Sequence, residues 1–163
     1  MEKLDLYDIH LNKLNKTIVR GEGMPGDDEY VLVTTIWIRS GIRYLIQHTS
    51  PEKGSIYAST GGCVSSGNTS REQIKIECKE ELDFELKDEN LSFLGRTYLD
   101  KAIFDIYYYE DEDIDLEEIK FNLQKEEVES VVWLTKDEIE DLIIKDEFRE
   151  SSANQYMQFI RKM

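Results

Sequence analysis

Cysteine, basic charge and long apolar runs are all scarce in this chain of 163 residues, and each shortage removes a class of protein. Cys63 and Cys78 are the only cysteines, with neither a CxxC pair nor a Cys/His cluster around them, which argues against a disulfide framework and a zinc site. Lys and Arg number 20 against 35 Asp and Glu, leaving a formal net charge of −15. Such a surface repels nucleic acid polymers, whose binding needs a basic face to displace counterions. No apolar run approaches the length of a membrane span, and the opening MEKLDLYDIH lacks the apolar segment of a signal peptide. The expectation is a cytoplasmic protein with neither membrane nor nucleic acid among its partners.

What is present is enough for a folded globule. The chain is 40% apolar and 10% aromatic, and its length suits a single domain over residues 1–163 with a substantial core. Leu4 to Asp8 and Thr17 to Val19 read as strands of a hairpin, and a loop with three glycines and Pro25 follows. Val31 to Arg39 and Tyr44 to Thr49, joined at Ser40-Gly41, form the clearest hairpin pattern. Tyr57 to Thr60 reads as a short strand, Leu91 to Leu99 with Ala102 to Tyr109 as a second hairpin, and Val128 to Leu134 as a strand ending at Trp133. Thr135 and Glu138 make a capping box for a helix carrying Ile139, Leu142 and Ile143, and a last helix runs from about Ser152 to Met163.

The stretch Gly61 to Phe84, GGCVSSGNTSREQIKIECKEELDF, stands apart. It opens as a glycine-rich turn in which Gly61-Gly62 lets backbone pass close to something, and Ser65-Ser66-Gly67-Asn68 is loop chemistry. Thr69 or Ser70 can cap a helix, with Glu72 or Gln73 completing a capping box. Within the helix Glu77, Glu80 and Glu81 stand at i, i+3 and i+4, which gathers three carboxylates on one side. Like charges at this spacing repel, so the cluster makes most sense when a hard divalent cation, Mg²⁺ by default, neutralises it. An anionic substrate would also be repelled by this chain unless metal bridged it.

This stretch resembles the Nudix box, whose pattern is Gly, five residues, Glu, seven residues, then Arg-Glu-apolar-any-Glu-Glu-any-Gly-apolar. Gly62 matches the first glycine, Glu77 the first helix glutamate, Cys78 the apolar position, Glu80 and Glu81 the paired glutamates, and Phe84 the last apolar residue. Three positions depart: Asn68 stands for the early Glu, Ile76 for the Arg, and Asp83 for the late Gly. Most of the chain is similar to MutT-like Nudix hydrolases, in the branch that includes isopentenyl diphosphate isomerase. The resemblance implies the Nudix α/β/α sandwich with a central mixed β-sheet.

It also implies a pyrophosphohydrolase that cleaves a diphosphate linkage in a nucleoside diphosphate-X or similar small compound, using Mg²⁺ or Mn²⁺. Glu77, Glu80 and Glu81 would hold the metal, with Glu77 also counted as catalytic, and Gly62 would approach the substrate phosphates. A glutamate some six residues before the strand-ending Trp supplies the general base in many relatives, which points to Glu127, beside Glu126. A homodimer is common in the family. The isomerase carries Cys-Gly-His where this chain has Gly61-Gly62-Cys63, so the functional cysteine and histidine are missing. The three box departures leave a second expectation, a binding protein of this fold with impaired catalysis. Tyr107 to Tyr109 could stack on a base but suit strand packing better. Arg20 and Arg43 could meet phosphate, although a solvated surface role suits them too.

Overall fold

The computed structural model describes residues 2–163. Strands β1 (Lys3–Tyr7) and β2 (Lys13–Val19) form the expected antiparallel hairpin as a small separate sheet. The large sheet is mixed and centres on β3 (Val31–Ser40). On one side β3 runs parallel to β8 (Ala102–Glu110), in continuous register from Val31↔Ala102 to Arg39↔Glu110. Beyond it lies β7 (Leu91–Leu99), antiparallel to β8 as the second hairpin requires.

On its other side β3 departs from expectation. It meets β4 (Arg43–Thr49) only at Arg39↔Tyr44 and Ser40↔Arg43, so the predicted hairpin closes at its tip alone. Lower down, β6 (Thr60–Cys63) takes β3's edge, from Val33↔Cys63 to Ile36↔Thr60. Meanwhile β4 pairs with β9 (Val128–Thr135) and with the two-residue β5 (Tyr57–Ala58). Gly61 and Gly62, expected in a turn, are therefore strand residues opposite Thr35 and Thr34. A Cβ on Gly61 would lie 2.2 Å from the Thr34 carbonyl oxygen, so the close approach of β6 to β3 depends on glycine there.

Alternation along the strands builds two cores, one on each face. Ile36, Ile38 and Leu45 point to the face covered by α1 (Ser70–Leu82), where they meet Ile74, Cys78, Leu82, Tyr107 and Tyr109. Trp37, Tyr44 and Ile46 point to the opposite face, against Ile139 of α2 (Lys136–Ile144) and Phe148, Tyr156 and Ile160. The result is an α/β/α sandwich, as the resemblance implied. Burial of Tyr107 and Tyr109, with Tyr109 edge-on to Phe84, places these rings in packing.

The last helix starts earlier than expected. Helix α3 (Glu150–Gln155) passes into a π-helical turn over Tyr156–Ile160. Fully buried Gln155 ties it to the sheet: its Oε1 accepts from Thr35 Oγ1 at 2.9 Å and from Trp37 Nε1 at 3.1 Å. Among the described residues, no helix is long and apolar enough to cross a membrane.

Candidate active site

Helix α1 is fixed at both ends by local chemistry. Thr69 caps it, accepting from the Glu72 backbone N–H while the Glu72 carboxylate accepts from the Thr69 N–H, so the capping box uses the first of the two registers open in the sequence. Asp83 ends it in the left-handed region, at φ 54° and ψ 40°. That is the position where the Nudix box pattern has Gly, and aspartate is among the few other residues that tolerate the conformation. Between the caps, Ile74, Cys78 and Leu82 anchor the helix in the core. Gln73, Glu77 and Glu81, each four residues apart, therefore line one adjoining stripe that faces β6.

The glutamates occupy three different environments. Glu81 is only 4% exposed, Glu77 is half-buried and Glu80 is exposed at the rim. The Glu77 and Glu81 carboxylates lie one helical turn apart and act on each other directly. Burial is the main cause that pushes Glu81 up to about 9, aided by the Glu77 carboxylate and the charge of Glu127. Burial raises Glu77 as well, with Glu80 and Glu2 adding repulsion. Two neighbouring carboxylates that repel one another and are both pushed towards protonation are groups that a hard cation would suit. Among the described residues no three His, Cys, Asp or Glu side chains already converge on one point.

Three neighbours that the box pattern does not supply hold this pair. Gln73 Nε2 donates to Glu77 Oε1 at 2.9 Å. Gln73 Oε1 in turn accepts from Asn68 Nδ2 at 2.9 Å and from the Ser65 backbone N–H at 3.1 Å. Asn68, one of the departures from the box, thus begins a relay that orients Glu77 without the family's arginine. Gln47 of β4 faces Glu81 and opposes its upward shift, the Gln47 Oε1 accepting from Thr60 Oγ1 at 3.3 Å. Ile76 lines the same cavity and is 38% exposed. A Cβ on Gly62 would stand 2.5 Å from the Glu77 carboxylate, so the glycine admits Glu77 to its place against β6.

These groups face a cleft with two connected lobes. The acidic lobe, about 370 Å³, is lined by Glu77, Glu80, Glu81, Gly62 and Glu127 among others. The second, about 300 Å³, shares Arg20, Gly61, Gly62, Glu81 and Glu127 with it and adds Lys53 and Arg149. Glu127 precedes β9 and forms an ion pair with Lys53 at 3.4 Å. Glu126 is exposed and lines neither lobe; its carbonyl accepts from Ser50 Oγ. The structure thus gathers Glu77, Glu80, Glu81, Glu127, Gly62 and Arg20 at one cleft and leaves Arg43 on the surface, beside Glu117. Lys53, Arg149, Gln47 and Gln73 are among the site-lining residues that sequence reasoning missed. Two of them carried a usable signal: Gln47 is polar inside the apolar run of β4, and Gln73 stands four residues before Glu77 on one helix.

No family model matches the chain. An uncharacterized Nudix hydrolase of Listeria innocua is 32% identical over 91% of this chain and 88% of its own length. A second, from Listeria monocytogenes, is 31% identical over the same shares. Among solved structures, a Deinococcus radiodurans protein superposes with a TM-score of 0.74 at 21% identity, covering 90% of this chain and 91% of the other. A bifunctional NMN adenylyltransferase/ADP ribose pyrophosphatase of Francisella tularensis, solved with AMP and a Mn ion, gives a TM-score of 0.60 at 17% identity, over 78% of this chain and 40% of that one. Both structural likenesses speak for the fold.

Proposed function

The chain belongs to the Nudix hydrolase family, and from that premise we propose that it hydrolyses a diphosphate linkage in a small compound with the help of Mg²⁺ or Mn²⁺. The observation that carries the reading is the Glu77–Glu81 pair, Glu81 buried and Glu77 half-buried beside it, with Glu77 oriented by Gln73 and Glu81 faced by Gln47. Glu77, Glu80 and Glu81 would hold the cation, whose part is to neutralise the phosphoryl oxygens as charge builds on them. Glu127 faces the same cleft and would accept the proton of the attacking water. The new bond joins that water's oxygen to phosphorus, and the bond from phosphorus to the bridging oxygen breaks. The leaving phosphate departs as the second product.

Gly62 leaves space for Glu77 and keeps β6 backbone open to the phosphates. The reading favours an active enzyme over an impaired binding protein because two of the box departures have local answers: Asn68 joins the Gln73 relay and Asp83 takes up the left-handed cap. The test is phosphate release from nucleoside triphosphates, nucleotide sugars and dinucleoside polyphosphates, with a phosphatase added to report phosphomonoesters. Turnover that requires Mg²⁺ or Mn²⁺ and is lost in Glu80→Gln supports the proposal. A folded protein inactive across the whole panel would count against it.

A further inference from the structure

We infer that Arg149, with Lys53 and Arg20, forms a cationic subsite that holds a phosphoryl group of the substrate on the side of the cleft away from Glu80. This rests on the diphosphate reading above and assigns the second lobe a role within it. All three cations line that lobe, whereas Glu80, Ile76 and Gln73 line only the acidic one. Gathering three cations around one cavity is uneven for a chain of net charge −15. The second lobe thus sets three cations, one of them the shared Arg20, against the two carboxylates it has in common with the acidic lobe, Glu81 and Glu127, so a molecule spanning both meets a more acidic end and a more cationic one, which suits two adjacent phosphoryl groups, one metal-bridged and one bound directly.

Arg149 is the distinctive member. Arg20 pairs with Glu2 at 3.1 Å and Lys53 with Glu127 at 3.4 Å, but Arg149 enters no ion pair among the described residues. Burial lowers its pKa, opposed only by the more distant charges of Glu81 and Glu127, with no side-chain hydrogen bond helping. A half-buried guanidinium without a partner is costly, and its planar fork of donors matches the oxygens of a phosphoryl group. Its backbone is fixed in place: Arg149 N–H donates to the Tyr57 carbonyl at 2.8 Å, and the neighbouring Phe148 is buried in the core. Ser151, lining the same lobe, adds a hydroxyl. The competing account gives Arg149 only the task of balancing Glu81 and Glu127. That account ties it to metal affinity and leaves anion binding untouched.

Titration of inorganic pyrophosphate into the protein in EDTA, followed by calorimetry, separates the two. Chelation removes metal bridging and metal-dependent turnover, so the result does not depend on whether the chain is a hydrolase. Binding is expected in the unmodified chain, weakened about tenfold or more in Arg149→Met and partly restored in Arg149→Lys. In the unmodified chain the Arg149 Nε–H resonance should shift over the same pyrophosphate range, a readout that survives if Arg149→Met fails to fold. Equal affinity in a folded Arg149→Met, an unmoved Arg149 resonance, or no pyrophosphate binding at all would overturn the subsite. If the substrate panel then shows turnover, the hydrolase reading stands without it.

Discussion

Replacing Glu81 with Gln should stabilise the protein in the absence of metal, increasingly so as pH rises. Glu81 is 4% exposed and its folded-state value lies near 9, against 4.5 for an ordinary glutamate. Folding therefore takes up a proton at this residue between those values. For an acid whose pKa is raised on folding, the contribution to stability is fully present below 4.5 and is lost as pH climbs towards 9. Each pH unit in that window costs about 1.4 kcal/mol. Between pH 5 and pH 8 the loss from this one group is about 4 kcal/mol, and burial leaves little solvent screening to reduce it. Glutamine keeps the side chain's shape and can donate to Glu77, but it takes up no proton. Urea unfolding in EDTA at the two pH values, for both proteins, measures the effect. The stability gap in favour of Glu81→Gln should widen by about 4 kcal/mol from pH 5 to pH 8. Added Mg²⁺ should stabilise the unmodified chain far more than the variant. A gap that does not change with pH would refute a Glu81 carboxyl that burial keeps protonated.

Two further substitutions probe the supports of the site. Gly62→Ala puts a methyl where the Glu77 carboxylate now lies, 2.5 Å away, and because that carboxylate ends a flexible side chain the fold should survive. Melting temperature should change little while metal-dependent turnover drops about a hundredfold, as expected for a ligand displaced by roughly an ångström. Gln155→Leu strips the acceptor from Thr35 Oγ1 and Trp37 Nε1 in the core. Unfolding free energy should fall by about 3 kcal/mol, the cost of stranding two buried donors. The loss is moderated because Gln155 Nε2 is itself buried without a partner.

The capped helices and the position of the three glutamates were legible because they follow from spacing of a few residues: a capping box needs only Thr69 and Glu72, or Thr135 and Glu138. Strands were legible one by one, but their partners were not. Nothing local to Ser40-Gly41 reveals that β6 displaces β4 from most of β3's edge, since that choice is made by glycines some twenty residues further on fitting where Cβ atoms cannot. Part of the orienting amide network was hidden for a similar reason. Ile76 looks like a missing arginine in the pattern; Gln73 reaches Glu77 by the i, i+4 spacing of their common helix, but only the packing of the Asn68 loop and β4 against α1 completes the relay and brings Gln47 to face Glu81. Arg149 reaches the cleft from the far end of the chain, at a distance in sequence that no motif spans.

The most direct test of the central claim is Mn²⁺ binding followed by electron paramagnetic resonance at physiological salt, where weak attraction to the acidic surface is screened. The unmodified chain should take up Mn²⁺ at a saturable site, and Glu77→Gln, folded, should bind it at least about tenfold more weakly through loss of a charged ligand in a partly buried cluster. Equal Mn²⁺ affinity in the two proteins would place the metal elsewhere and contradict the assignment of Glu77, Glu80 and Glu81.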